Sequence, residues 1–226
     1  MAISIDAVYQ KVLTFANKEQ RGYITPQQFN LFADQAQKEI FEQYFYDLNQ
    51  ASRASGNFNE YSDTVDNLNE KIAVFERDDT GTSLAENLYR LGTVIAEFGE
   101  DGLISEVEEV QHKEYFYMQQ SFLTAPTEKR RVYIRTNAST IVVYPTATNV
   151  SYTYVATPTK PSWGYVVVNG KAMHDASNTV NFQLHKSDES ELVYRILAFA
   201  GISMQKPNLA QSAAALEQAK VQQEKQ

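Results

Sequence analysis

Apolar positions recur every three or four residues through the first part of the chain. Val8, Val12 and Phe15 mark a helix over about Ile5 to Ala16, with Ser4 as its cap. A second helix starts within "RGYITPQQFN", residues 21 to 30. Thr25 is a good N-cap, Pro26 suits the first helical position, and Gln28 stands where its amide can reach back in a capping box. Ile24 and Phe29 flank the start as a hydrophobic staple. Phe29, Phe32, Ala36, Ile40, Tyr44 and Leu48 then keep helical spacing to about Asn49, and Phe41 and Phe45 widen the apolar face. Gln27, Asn30, Asp34, Gln37, Lys38 and Glu42 fall on the wet side. At 1.5 Å per residue such a helix is about 35 Å long. Its aromatic face calls for more partner surface than the first helix offers, which makes Phe32, Tyr44 and Phe45 candidate interface residues. An ordinary core helix is the plainer alternative.

The pattern then changes. Residues 51–70 are rich in Ser, Asn, Asp and Gly and read as a loop or mobile insertion, followed by a strand in "KIAVFE" (71–76). "LYRLGTVIAEF" and "GLISEVEEV", joined by "GEDG", read as a hairpin. "QHKEYFYMQQS" reads as a short helix. "RVYIR", "TIVVY" and "VSYTYVA" alternate over short spacings, as in a small sandwich or barrel. "GYVVVNGKAMH" is a hairpin in which Asn169-Gly170 suits a type I′ turn, and "TVNFQL" (179–184) reads as the last strand. Ser187 can cap a further helix, with Asp188, Glu189 and Glu191 at its positive end. Its stripe is Leu192, Ile196, Leu197 and Ala200, and Gly201 suits a left-handed stop, with Ile202 as the contact after it. Pro207 breaks the path. The tail holds good helix formers but few anchors, Leu209, Leu216 and Val221, so it either frays or borrows a partner. The pattern predicts an α+β fold: an N-terminal helical hairpin, a central antiparallel β-sandwich or barrel, and C-terminal helices. Residues 1–70 with 187–226 form the helical part, and 71–186 the β-rich domain.

Composition narrows the chemistry. The chain has 226 residues, 43% of them hydrophobic and 21% charged, with a net charge of −8. That size allows one or two domains with real cores. The acidic balance argues against a broad phosphate-binding surface, although DNA could pass nearby without being bound. There is no cysteine, which excludes disulfides, thiol catalysis and Cys-based zinc sites. The longest apolar runs, such as "YVVV", fall far short of a membrane span. "MAISIDAVYQ" does not read as a secretory signal, so folding in a cytosol is expected.

Candidate chemistry is sparse. Asp79-Thr80-Gly81 matches the triplet of aspartic proteases, where two carboxylates share a proton, but "ERD" precedes it where a buried strand is required. A polar turn with an Asx cap is the plainer reading. His112, His174 and His185 share no metal-binding spacing and read as surface or interface residues. The nine glycines form no phosphate loop, and no serine sits in a G-x-S-x-G turn. No cofactor or metal is expected. Glu106 and Glu108 share a strand face, which reads as solvated rather than cation-binding. "EKRR" (128–131) is the only basic cluster and could pair with an acidic neighbour across an interface. The 14 tyrosines suit interfaces and half-buried sheets. Trp163 reads as a core anchor or inter-subunit plug, or else as a platform for a sugar.

Three stretches carry a resemblance. "NKEQRGYITPQQFNLFADQAQKEIFEQYF" resembles the N-terminal signature of a family of virion structural proteins of tailed bacteriophages, notably crAss-like and related podovirus-like phages. "GLISEVEEVQHKEYFYMQQSFLTAPT" with "VYIRTNASTIVVYPT" is similar to the family's middle region, and "ELVYRILAFAGISMQKPNLAQSAAALEQAK" to its C-terminal helical segment. The resemblance implies a non-enzymatic neck component of the virion, assembled in the host cytoplasm. It would be a homo-oligomeric, by analogy with portals dodecameric, head–tail connector or adaptor ring. Its partners would be the portal and neighbouring neck and tail proteins, with DNA passing through and no membrane involved. Phe32, Tyr44, Phe45, Leu209, Leu216 and Val221 are the candidate interface. The alternative is a tail-associated β-sandwich that binds a glycan through Trp163 and the tyrosines.

Overall fold

Helices and strands come in blocks along the chain. Three helices lead: α1 (Ile5–Asn17), α2 (Pro26–Arg53) and α3 (Asn59–Ala73). Strands β1 (Glu76–Thr80), β2 (Leu88–Phe98) and β3 (Leu103–Glu109) precede α4 (His112–Gln119). Then come β4 (Val132–Asn137), β5 (Thr140–Tyr144), β6 (Asn149–Ala156), β7 (Tyr165–Val168) and β8 (Lys171–His174). Helices α5 (Glu189–Ser203) and α6 (Pro207–Glu224) close the chain. This computed structural model describes residues 3–17, 24–53, 59–98, 103–203 and 207–224. The α+β class expected from the pattern is the one observed. The chain divides into two units, Met1–Val74 with Pro158–Gln226, and Phe75–Thr157.

In the first unit the start of α2 forms as its sequence dictates. Gln28 Oε1 accepts from Thr25 N at 3.1 Å, and Thr25 Oγ1 accepts from Gln28 N at 3.3 Å. Ile24 and Phe29 are both buried, and the Tyr9 ring of α1 lies 4.6 Å from that of Phe29. The aromatic face of α2 is filled from within the unit: α2 packs on α3 and α5, and Phe29, Ala33, Ala36, Ile40, Phe41 and Tyr44 are buried. The core-helix reading is therefore the one that fits. Two positions expected on its wet side also turn inward. Gln37 is fully buried; its Nε2 donates to Thr159 O at 2.8 Å and its Oε1 accepts from Gln183 N at 2.9 Å. Two turns earlier, Asn30 Oδ1 accepts from Trp163 N at 2.8 Å and its Nδ2 donates to Trp163 O at 3.3 Å.

These two carboxamides explain why 158–186, expected in the β-rich part, groups with the helices. They supply donors and acceptors that a neighbouring strand would otherwise offer. For the same reason "TVNFQL" forms no strand. Val180 bridges Ser162 and Phe182 bridges Ile3, while Asn181 accepts from Ile5 N and Gln183 from Thr159 N through their side chains. The β7–β8 hairpin forms as predicted, with Asn169 at φ 51° and Gly170 at φ 75°, the left-handed pair that a type I′ turn requires.

Other expectations need correction. Residues 59–73, assigned to a loop and the start of a strand, are helix α3; Val65, Leu68 and Ile72 give it an inward stripe that the polar composition hid. The strand therefore starts at Glu76, not Lys71. Phe15, placed on the apolar face of α1, is 46% exposed. His185, not Ser187, caps the turn before α5, and Ser187 Oγ donates to Asp188 instead. Gly201 does not stop α5, which runs on to Ser203 because Gly201 is buried in a packed helix rather than capping a free end. Pro207 opens α6 at the position where a missing N–H costs nothing. The tail borrows its partner from this chain: α6 packs along α5.

In the second unit six strands run in the order β1-β6-β2-β3-β4-β5, antiparallel except for β3 with β4. The sheet curls until its edges meet. Just past β1, Ser83 bridges Thr140 of the opposite edge, Leu84 N donates to Ser139 O and Ile141 N donates to Thr82 O. Of the sandwich and barrel alternatives, this single curled sheet matches the barrel. Leu84, Val94, Ala96, Val107, Tyr133, Ile141, Val143, Val150, Tyr152, Tyr154 and Ala156 form its core. Gly92 sits at an irregularity in β2 where a Cβ would lie 2.5 Å from Thr153 Oγ1, so the close approach of β6 requires glycine there.

Candidate interaction surfaces

The polar positions that suggested chemistry act as supports. Asp79 Oδ1 accepts from Thr80 N at 2.8 Å, and its Oδ2 lies 3.1 Å from the Tyr152 hydroxyl. Tyr152 Oη accepts from Ala85 N at 3.0 Å, which ties the end of β1 to the barrel core. Burial, and then the bond to Asp79, push the Tyr152 phenol above its ordinary range. Glu106 and Glu108 face solvent with Val107 buried between them, as expected of a solvated strand face. Arg130 pairs loosely with Glu108 at 3.6 Å, whereas Arg131 is buried and donates to Glu97 O at 3.3 Å, so "EKRR" is partly structural. Tyr133 donates to Glu109 at 3.1 Å; burial first, then the charge of Glu109, push its phenol up to about 12.

Trp163 is a core anchor. It is 3% exposed, its Nε1 donates to Asp6 Oδ1 at 2.9 Å, and the rings of Tyr9, Tyr165 and His174 lie 4.4, 5.9 and 5.6 Å from its own. It offers no open face to a sugar. His112 opens α4 on the surface, and His185 holds the turn before α5. An open groove lined by Gly81, Ile95, Ile104, Asn149 and Ser151 holds one carboxylate, Glu97, which accepts from Asn149 at 2.7 Å. Among the described residues no cluster of three His, Asp or Glu is placed to hold a metal, and no helix is long and apolar enough to cross a membrane.

The candidate interface residues divide. Tyr44 is 4% exposed and its hydroxyl donates to buried Asp188, so it belongs to the core of its own unit. Phe32 is half-buried near Phe199, with ring centroids 6.4 Å apart, and Phe45 is half-buried edge-on to Phe41 at 5.1 Å. Leu216 is 51% exposed on α6. The side chains of Leu209 and Val221 lie outside the described residues.

Among the described residues, the most exposed apolar ones are ones the periodicity did not single out. Helix α4 crosses from β3 to β4 and buries none of its side chains. Tyr115 stacks on Tyr144 of β5 with centroids 4.4 Å apart, which fixes one side of the helix to the barrel. Phe116 and Tyr117 are 60% and 57% exposed, and in the turn beyond the helix Phe122 and Leu123 reach 101% and 93%. That turn is ordered: Thr124 Oγ1 donates to Met118 O at 3.1 Å, and Ala125 N donates to Ser121 O at 2.9 Å. A hydrogen-bonded turn thus holds two large apolar side chains in water, although burying each would be worth about 1.5–3 kcal/mol. The first unit has its own exposed element. Val166, Val167, Val168 and Met173 of the β7–β8 hairpin are 46–62% exposed, and among the described residues this two-stranded sheet pairs with no other strand. The signal in the sequence was "SFLTAPT", a Phe-Leu pair between polar residues with no periodic partner. Comparison with known proteins adds no assignment, since no family model and no curated protein matches the chain.

Proposed function

We propose that the protein is a structural component of a phage virion neck: a homo-oligomeric connector ring beneath the portal, through which DNA passes and on which the tail assembles. The sequence resemblance in three blocks supports this reading of the assembly. The observation that carries the self-association is the ordered turn bearing Phe122 and Leu123, exposed far beyond what a solitary chain gains from showing. An apolar projection from one side of a subunit suits a heterologous contact, and such contacts close into rings when the repeated rotation allows. The subunit contacts are assigned to this projection and the β7–β8 hairpin, because the aromatic face of α2 is occupied within its own unit. A net charge of −8 accords with a channel that lets DNA slide without sequence-specific binding. Of the residues that motivated the glycan-binding alternative, Trp163 and the tyrosines, Trp163 is buried among Tyr9, Tyr165 and His174. Electron microscopy of the purified protein tests the proposal: closed rings with a central opening are expected, and uniform single particles of 25.6 kDa would overturn it.

A further inference from the structure

The β7–β8 hairpin has two open edges, and their backbone groups define what fits them. Trp163 N donates to Asn30 Oδ1 at 2.8 Å and Trp163 O accepts from Asn30 Nδ2 at 3.3 Å, so the main chain at 163 faces α2. One residue on, Gly164 O accepts from Asp175 N at 2.9 Å, and Gly164 N donates to Thr179 Oγ1 at 3.2 Å, on the side of β8. Extended backbone alternates in this way. Val166 and Val168 therefore turn their polar groups to their register partners Met173 and Lys171. Tyr165 and Val167 of β7, and Ala172 and His174 of β8, turn theirs outward. Among the described residues none of these outward N–H and C=O groups has a hydrogen-bond partner. Asn30 stands in for a further strand at Trp163, but not at Tyr165 or Val167. Such an edge fits one kind of partner, another extended strand.

We propose that the hairpins of adjacent copies join edge to edge in a continuous β-belt, β7 of one copy pairing antiparallel with β8 of the next. The belt presupposes the connector ring and gives one of its contacts a chemistry. In the register used inside the hairpin, Tyr165 meets His174 of the next copy and Val167 meets Ala172, each pair exchanging both of its hydrogen bonds. The pleat stays in phase, so Val166, Val168 and Met173, all exposed in one chain, line up as one apolar face. Two observations favour this occupant over a two-fold β7–β7 pair. Both edges are open, and a two-fold pair satisfies one edge while leaving the other bare, whereas head-to-tail pairing in a closed ring leaves none. The strands are also short, four residues each. An edge of about 13 Å buries far less than the ~1,200 Å² of a stable complex, so it needs a second contact beside it. The turn bearing Phe122 and Leu123 supplies that contact in the ring.

Disulfide trapping tests the belt, because the chain has no cysteine of its own. Full-length Val166→Cys and Met173→Cys chains are co-expressed, so that a disulfide can form only between copies. In the belt these two positions form a non-hydrogen-bonded pair, where side chains of neighbouring strands come closest. On mild oxidation the mixed disulfide between the two variants should exceed either same-variant dimer several-fold, read by mass spectrometry. Val167→Pro removes an outward N–H and no bond inside the hairpin. Added to the Val166→Cys chain, it should cut the mixed yield several-fold, and Ala172→Pro in the Met173→Cys chain should do the same from the other edge. Native mass spectrometry of the same samples separates the two levels of the account. A closed oligomer without the mixed disulfide, a dominant Val166→Cys homodimer, or a yield unmoved by both proline variants overturns the belt alone. A chain that stays monomeric overturns the ring and the belt together.

Discussion

Gln37 and Asn30 show how single polar residues direct the path of the chain. Each engages the main chain of 158–186 with both atoms of its carboxamide. Replacing Gln37 by Leu keeps the volume but leaves Thr159 O and Gln183 N without their partner. Gln37→Leu should cost about 1–3 kcal/mol in chemical denaturation, and a neutral result would mean that water reaches both groups. A second residue-scale test concerns alkali. Tyr133 has its phenol raised to about 12 when folded, against about 10 in an unfolded chain. Its contribution is fully present below about pH 10 and is lost as pH rises toward about 12, because only the unfolded state then gives up the proton freely. The stability of Tyr133→Phe should therefore fall less steeply over that window, measured by denaturant midpoints at each pH.

At the scale of elements, α3 is joined to the turn before α5 by a buried ion pair. Lys71 Nζ lies 2.9 Å from Asp188 Oδ1, and Asp188 is fully buried. Removing one partner strands a buried charge, so Lys71→Met should cost about 3–5 kcal/mol, whereas Lys71→Met with Asp188→Leu should recover much of it. A loss below about 1 kcal/mol for the single variant would show that Asp188 is solvated when unpaired. This helix was also the element least legible in the sequence. Its stripe of Val65, Leu68 and Ile72 is spaced for a helix, but Asn and Asp around it carry the composition of a loop. The start of α2, the β7–β8 turn and the alternation of β6 were legible because local chemistry fixes them, through a capping box, a left-handed Asn-Gly pair and a period of two. The path of 158–186 was not, because it depends on side-chain amides that a helical wheel assigns to water. Of the candidate interface residues Leu216 is exposed and Tyr44 is buried; periodicity favours residues that repeat, and Phe122 and Leu123 repeat nothing.

For the molecule as a whole, the acidic charge and the scarcity of candidate catalytic groups narrow the reading, and exposed apolar surface directs it. Each unit displays an element with large apolar side chains in solvent, α4 with its turn in one and the β7–β8 hairpin in the other. The central claim is that the turn after α4 joins copies of this chain. Native mass spectrometry of the purified protein beside Phe122→Ser/Leu123→Ser tests it most directly, because both side chains are already in water and their loss should leave the barrel intact. The account predicts a closed oligomer for the unsubstituted protein and a folded monomer of about the 25.6 kDa chain mass for the double variant. A monomer in both cases, or an oligomer unaffected by the substitutions, would contradict it.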